Sequence, residues 1–122
     1  MSFRQDRVRV VAVWSLPAHM SKEQLGTEVH NFLQVPMVKK NLLKFDISLA
    51  NDALHPTLQA LGFERPSLNC VVIVEAETHE KIQEITRDPA FQQIFQGSLE
   101  QGHVKTSEGA YFSADFMTGL DN

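Results

Sequence analysis

The sequence is poor in several residue types, and each scarcity excludes a class of protein. Cys70 is the only cysteine in 122 residues, so the chain cannot form an internal disulfide, and thiolate metal sites lack ligands. Six glycines and five prolines are too few for a collagen-like or low-complexity chain. Only 11 Lys and Arg stand against 15 Asp and Glu, and the net charge of −4 disfavours binding to nucleic acid or to an anionic membrane.

Long apolar runs are also missing. The apolar run in the N-terminal segment extends only from Val10 to Trp14, which is too short for the core of a signal peptide or for a membrane span. We therefore expect a cytoplasmic protein. The five histidines are scattered without the i, i+4 spacing of metal ligands, and the sequence predicts no metal site. With 43% hydrophobic and 21% charged residues, the composition is typical of one globular domain spanning residues 1–122.

Four segments have the character of β-strands. Residues 8–15 and 70–76 are apolar with little polar alternation, which is typical of strands covered on both faces. Residues 43–49 and 109–117 alternate between apolar and polar side chains and predict strands with one wet face. In the last strand, Tyr111 and Asp115 share one face and Phe112 lies on the other.

Helices are predicted between these strands. Ser21 is a candidate N-cap for a helix with an apolar stripe formed by Leu25, Val29, Phe32 and Leu33. Pro36 interrupts this pattern, and the segment after it is predicted to kink or to continue as another helical turn. A short helix is predicted over 56–61, and two further helical pieces begin after Thr78 and at Asp88-Pro89.

This order of elements predicts an α+β protein with the ferredoxin-like βαββαβ fold, in which helices cover one face of a four-stranded antiparallel sheet. Two helices cannot cover both faces, yet the first and third strands are apolar on both sides. We therefore expect a homodimer in which the helix-free faces meet. The alternative is a monomer in which the connection 51–67 folds over the open face.

The chain resembles the dimeric α/β-barrel superfamily, in particular the EthD-type and stress-responsive A/B-barrel domains. The resemblance rests on the element order, on the stretch EKIQEITRDPAFQQI at residues 80–94, and on the segment from Pro36 to Phe45, which is similar to small fungal EthD-like proteins. It implies the dimeric barrel fold and a small-molecule function. The superfamily includes cofactor-free monooxygenases, polyketide cyclases, haem-dependent enzymes and members without an established reaction. The catalytic Tyr and His of its plant polyketide cyclase fall on Ile85 and Phe91 here, so that acid/base pair is not present.

Three side chains are candidates for acid/base catalysis. His30 follows Val29 on the first predicted helix, near the border of the apolar stripe, where a neutral imidazole could serve as a general base. Tyr111 and Asp115 lie on one face of the last strand and could bind and deprotonate a phenolic or enolisable compound. The alternative is that all three face solvent or the dimer interface.

Large aromatic residues are the candidates for binding a substrate. They are core residues first, but in this fold the same side chains can line an apolar cavity for an aromatic ligand. The candidate set is Trp14, Phe32, Phe45, Phe91, Phe95 and Phe112.

These observations lead to one principal functional hypothesis and two alternatives. The principal one is a cofactor-free enzyme that acts on an apolar aromatic or polyketide-like compound by proton transfer, as a cyclase, isomerase, dehydratase or decarboxylase. The first alternative is a non-catalytic dimeric ligand-binding or stress-related protein whose interior is filled by side chains. The second is a haem- or oxygen-dependent member of the monooxygenase type, with His30 as the candidate axial ligand.

Overall fold

The computed structural model describes residues 1–122 and contains four strands and five helices. In chain order these are β1 (Val8–Trp14), α1 (Lys22–Leu33), α2 (Pro36–Asn41), β2 (Leu42–Leu49), α3 (His55–Ala60), β3 (Cys70–Ala76), α4 (His79–Arg87), α5 (Pro89–Glu100) and β4 (Ala110–Ala114). All strand pairs are antiparallel, and the sheet order is β2-β3-β1-β4. This is the strand order of the ferredoxin-like fold, so the predicted α+β fold is confirmed.

The helices begin where the sequence predicted their caps. The Ser21 side chain accepts a hydrogen bond from the backbone of Gln24, whose side chain in turn accepts from Ser21, which completes a capping box. The Thr78 and Asp88 side chains cap α4 and α5 by accepting from the backbone N–H groups of Lys81 and Phe91, without the reciprocal bond. The segment after Pro36 forms the separate helix α2, with proline in its first turn.

The strand register divides the sheet into two faces. Trp14 lies opposite Cys70, Ala12 lies opposite both Val72 and Tyr111, and these side chains point toward α1 and α5. The opposite, helix-free face carries an apolar patch, and every member of this patch remains at least partly exposed. We call it the open-face patch; its members are Val11, Val13, Val71, Ile73 and Phe112.

One end of the helix-free face departs from the predicted apolar character of the first and third strands. Arg9 pairs with Glu75 across the β1–β3 ladder, and the Glu75 side chain is buried. Arg7 Nη1 lies 3.0 Å from one carboxylate oxygen, and Arg9 Nε and Nη2 lie 3.0 and 2.5 Å from the other. The Arg9 guanidinium also stacks on the Phe116 ring, 3.8 Å from its centroid. The charged groups at this end of the face are therefore paired with one another within the protomer.

The core is small. Only 10 of the 122 residues are buried. Six of them form two apolar clusters, one of Trp14, Cys70 and Val72 and one of Val35, Val38 and Ile85. Cys70, the only cysteine, is buried at the start of β3. A chain of this length can bury far more of its surface in one compact domain. The low count reflects the uncovered sheet face and a cavity on the covered one.

Gly109 is required by the close approach of β4 to β1. A Cβ atom built on Gly109 would lie 2.7 Å from the carbonyl oxygen of Val13 and 3.3 Å from the Cβ of Trp14. Any side chain at this position would force the start of β4 away from β1. The glycine thus sets the position of Tyr111 two residues later.

Candidate functional site

A cavity of about 450 Å³ lies between the sheet and the helices α1 and α5. Its sheet side is formed mainly by β1, β2 and β3 through Ala12, Phe45, Ile47, Val72 and Val74. Fifteen of its 22 lining residues are hydrophobic. A largely apolar concavity of this volume falls in the range of small-molecule sites.

Four phenylalanines form a continuous aromatic wall across the cavity. Phe32 of α1 lies between Phe45 of β2 and Phe91 of α5, with ring centroids 5.5 and 5.9 Å apart. Phe91 in turn stacks on Phe95 at 5.6 Å. Such distances are typical of favourable aromatic pairs and leave ring faces and edges available to a flat ligand. All four were candidates from the sequence, and the structure brings them together.

Trp14 and Tyr111 close the other end of the cavity. Their rings stack with centroids 6.4 Å apart, and the Tyr111 hydroxyl donates a hydrogen bond to the carbonyl oxygen of Lys105. Burial raises the pKa of the Tyr111 phenol above its ordinary value. The phenol therefore stays protonated near neutral pH, with its proton donated to Lys105, and does not act as a base.

The cavity also contains a histidine and a carboxylate in contact. Nδ1 of His103 lies against Oε1 of Glu28, which projects from α1. Both side chains are partly screened from solvent, with exposed fractions of 17% and 33%. Apart from Tyr111, they are the titratable side chains that line the cavity.

His103 is positioned by the end of α5. Gly102 adopts a positive φ of 74°, its N–H donates to the Leu99 carbonyl at 3.1 Å, and the N–H of His103 donates to the Ser98 carbonyl at 2.9 Å. These two bonds form a Schellman motif, which turns the chain back over the last turn of the helix. The indole N–H of Trp14 donates to the His103 carbonyl at 2.8 Å, so both backbone polar groups of His103 are held.

The remaining candidate residues lie elsewhere. His30 is exposed and does not line the cavity, because the cavity-lining residues of α1 centre on Leu25 and Phe32, nearly opposite His30 around the helix. Asp115 is exposed and follows the end of β4. Phe112 belongs to the open-face patch and is half exposed, because strand alternation places it opposite Tyr111. The structure therefore does not group His30, Tyr111 and Asp115, and only Tyr111 reaches the cavity.

Sequence reasoning missed both Glu28 and His103. Glu28 is the helical neighbour of Leu25 and Phe32 at spacings of three and four, which places it on the cavity side of the stripe. His103 directly follows Gly102, the glycine of positive φ at the end of α5. Placing a C-terminal motif at Gly102 would have directed attention to the next residue.

The other reactive groups of the chain are not arranged for chemistry. Burial raises the pKa of the Cys70 thiol to about 11, which leaves it protonated. No three His, Cys, Asp or Glu side chains come close enough to hold a metal ion. The haem-dependent alternative used His30 as the axial ligand, and His30 does not line the cavity. No helix has the length and apolar character needed to cross a membrane.

Comparison with known proteins identifies the fold but not the reaction. No family model and no curated protein matches the sequence. Among solved structures, the hydroxynitrile lyase of Passiflora edulis is similar at a TM-score of 0.66 and 5% identity, covering 97% of this chain and 100% of that one. A dimeric ferredoxin-like protein of unknown function from Bacteroides fragilis is similar at a TM-score of 0.57 and 13% identity, covering 94% of this chain and 100% of that one. An EthD family protein from Bacillus halodurans is similar at a TM-score of 0.54 and 11% identity, covering 91% of this chain and 99% of that one.

These similarities extend over nearly the whole chain, at sequence identities that carry information about fold alone. They include an EthD family protein and a ferredoxin-like protein that is dimeric. The fold is therefore ferredoxin-like, as the order of elements in the sequence predicted.

Proposed function

We propose that this chain is a cofactor-free enzyme that binds an apolar aromatic or polyketide-like compound in the cavity and transforms it by proton transfer. The observation that carries the proposal is the cavity itself. It offers about 450 Å³ beside an aromatic wall of four phenylalanines, and titratable groups lie on the same surface. A flat apolar ligand would bury its rings against this wall and be oriented by the few polar groups.

The cavity also separates this proposal from its main alternative. A purely structural dimer would fill the space between helices and sheet with side chains, since empty apolar volume destabilises a fold. Here the space is open, and it touches a protonated phenol and a histidine–carboxylate contact. Among proteins of this fold, the Passiflora edulis protein is a hydroxynitrile lyase, an activity that is compatible with proton-transfer chemistry.

Two helical glycines provide a matched test of ligand binding. Gly97 of α5 lines the cavity, whereas Gly26 of α1 is exposed and does not; a Cβ added at either position meets nothing within 4 Å. We expect 1-naphthol, titrated calorimetrically, to bind the unchanged protein and Gly26→Phe alike, and to lose measurable affinity for Gly97→Phe. Both substitutions also improve helix propensity by a similar, small amount, so thermal unfolding should not distinguish them. Equal naphthol binding by both variants would contradict the proposal.

We further propose that the active form is a homodimer joined through the helix-free sheet face. The open-face patch presents contiguous aliphatic and aromatic surface, and the protomer alone buries few residues. A second copy supplies a matching apolar face about a twofold axis. The structural relative from Bacteroides fragilis is itself dimeric.

Sedimentation equilibrium tests the dimer directly. We expect a mass of about twice 13.8 kDa at micromolar protein, and a monomer for Phe112→Glu, because a carboxylate cannot be buried unpaired at an apolar interface. Phe112 is half exposed in the protomer, so its replacement should leave the fold intact. Tyr111→Phe, on the opposite face of the same strand, is the control and should remain dimeric. A monomeric unchanged protein would refute the dimer.

A further inference from the structure

The contact between His103 and Glu28 has the arrangement of a catalytic acid–base pair. Oε1 of Glu28 lies against Nδ1 of His103, a buried nitrogen that has no other polar partner and no aligned hydrogen bond in the protein. A carboxylate at Nδ1 favours the tautomer that carries its proton there, which leaves the lone pair on Nε2 free to accept a proton. The pair lines the cavity together with the aromatic wall.

The backbone around this pair is also fixed. The Schellman motif at Gly102 and the hydrogen bond from the Trp14 indole hold the peptide groups of His103 from two different elements. Glu28 is held independently, in the middle of α1. A general base needs this kind of restraint, because proton transfer depends on a fixed donor–acceptor geometry.

We propose that His103 is the general base of the cavity, with Glu28 as the residue that positions it, and that the substrate carries an acidic C–H or O–H on an apolar aromatic body. This inference rests on the proposed function and assigns its proton-transfer group. In the reaction, Nε2 takes the substrate proton and becomes an imidazolium stabilised by Glu28, and the electron pair of the broken bond stays on the substrate. The proton returns from Nε2 to the product or its leaving group.

The Kemp elimination of 5-nitrobenzisoxazole is a suitable probe, because it needs only a base beside an apolar aromatic site. Nε2 would remove the proton from C3, the C–H electron pair would form the third bond of a nitrile, and the N–O bond would break to release a coloured phenolate. We expect saturable catalysis by the unchanged protein and a rate about 100-fold lower for His103→Ala, at the lower end of general-base contributions. Added imidazole should restore part of the rate, since the shortened side chain leaves room for it.

His30→Ala is the matched control, because His30 is exposed and lies outside the cavity. Its rate should equal that of the unchanged protein. A rate unaffected by His103→Ala, or a loss that imidazole does not restore, would overturn the assignment of the base. If 1-naphthol still binds under those conditions, the proposed cavity function stands and only this inference fails; if neither the binding nor the catalysis is seen, both fail.

The role of Glu28 has a separate, spectroscopic readout. In ¹⁵N-edited spectra of the ring, we expect the neutral His103 side chain to carry its proton on Nδ1 in the unchanged protein. In Glu28→Gln the proton should redistribute toward Nε2, and the Kemp rate should fall about 10-fold with the fold intact. An unchanged tautomer in Glu28→Gln would show that Glu28 does not position the ring.

Discussion

The buried carboxylate of Glu75 gives a prediction whose size follows from its contacts. Glu75 accepts three hydrogen bonds from two guanidinium groups on the helix-free face, and the residue is only 2% exposed. In Glu75→Gln, one oxygen becomes an NH₂ donor, so the amide can accept from Arg9 only by turning its NH₂ toward Arg7. The substitution therefore loses at least one charge-assisted hydrogen bond and the attraction to both cations.

The expected cost in free energy of unfolding is about 2 kcal/mol near neutral pH. A hydrogen bond to a charged group contributes about 1.5–3 kcal/mol, and breaking a fully buried ion pair costs about 3–5 kcal/mol. The two arginine side chains are each about a quarter exposed, with fractions of 26% and 22%, and solvent screening places the effect toward the lower of these figures. For a domain of this size, this corresponds to a loss of roughly 6–10 °C in Tm.

The pH dependence of this cost has a definite sign. Burial raises the pKa of Glu75, but hydrogen bonds from Arg9 and Arg7 lower it by more, so its pKa lies below the ordinary value of 4.5. The carboxylate therefore stabilises the fold above the pKa of the unfolded chain, and this stabilisation is lost as the pH falls through the lower, folded pKa.

Urea unfolding at a fixed protein concentration, over a pH series from neutral to about 3, measures both the size and the sign. The difference between the unchanged protein and Glu75→Gln should be largest near neutral pH and shrink at the acid end. The exposed Glu77→Gln is the control and should change stability by less than about 0.5 kcal/mol. A difference that stays constant with pH, or that is absent near neutral pH, would refute the reasoning.

Two further predictions concern other buried polar groups. Asn41 is 2% exposed and donates to the carbonyl of Lys81 at 2.9 Å and to the carboxylate of Glu84 at 2.8 Å. In urea unfolding, Asn41→Ala should therefore destabilise the fold by about 1–3 kcal/mol. Lys40→Ala, at an exposed position of the same helix, is the control and should not destabilise it. A loss no greater than that of the lysine variant would show that the link between α2 and α4 contributes little. The Cys70 thiol, with its pKa raised to about 11, should react with iodoacetamide at pH 8 only after addition of denaturant. Rapid labelling of the folded protein would contradict this.

The sequence was most informative where local patterns determine structure. The fold was indicated by the polar alternation in two strands, by the two strands that are apolar on both faces, and by helix caps such as Ser21 and Asp88. Each of these signals depends on near neighbours in the chain. The four cavity phenylalanines were predictable for the same reason. Cross-strand pairs such as Arg9 with Glu75 join residues 66 apart, and no local pattern reports them.

The candidate catalytic residues show the limit of this reasoning. His30 was placed near the border of the apolar stripe because it follows Val29. Measured from the centre of the whole stripe, it lies on the far side of the helix, where the structure has it. Tyr111 and Phe112 were both assigned to the ligand site, although adjacent residues of a strand point to opposite faces. His103 depends on a helix end, a glycine of positive φ and a distant tryptophan, and only the folded chain brings these together.

The most direct test of the account is a crystal structure of the protein soaked with 1-naphthol. We expect electron density for the naphthol ring between the sheet and the helices α1 and α5, against Phe32 and Phe91, with its hydroxyl directed toward His103. A cavity closed by side chains, or naphthol bound only outside it, would contradict the account.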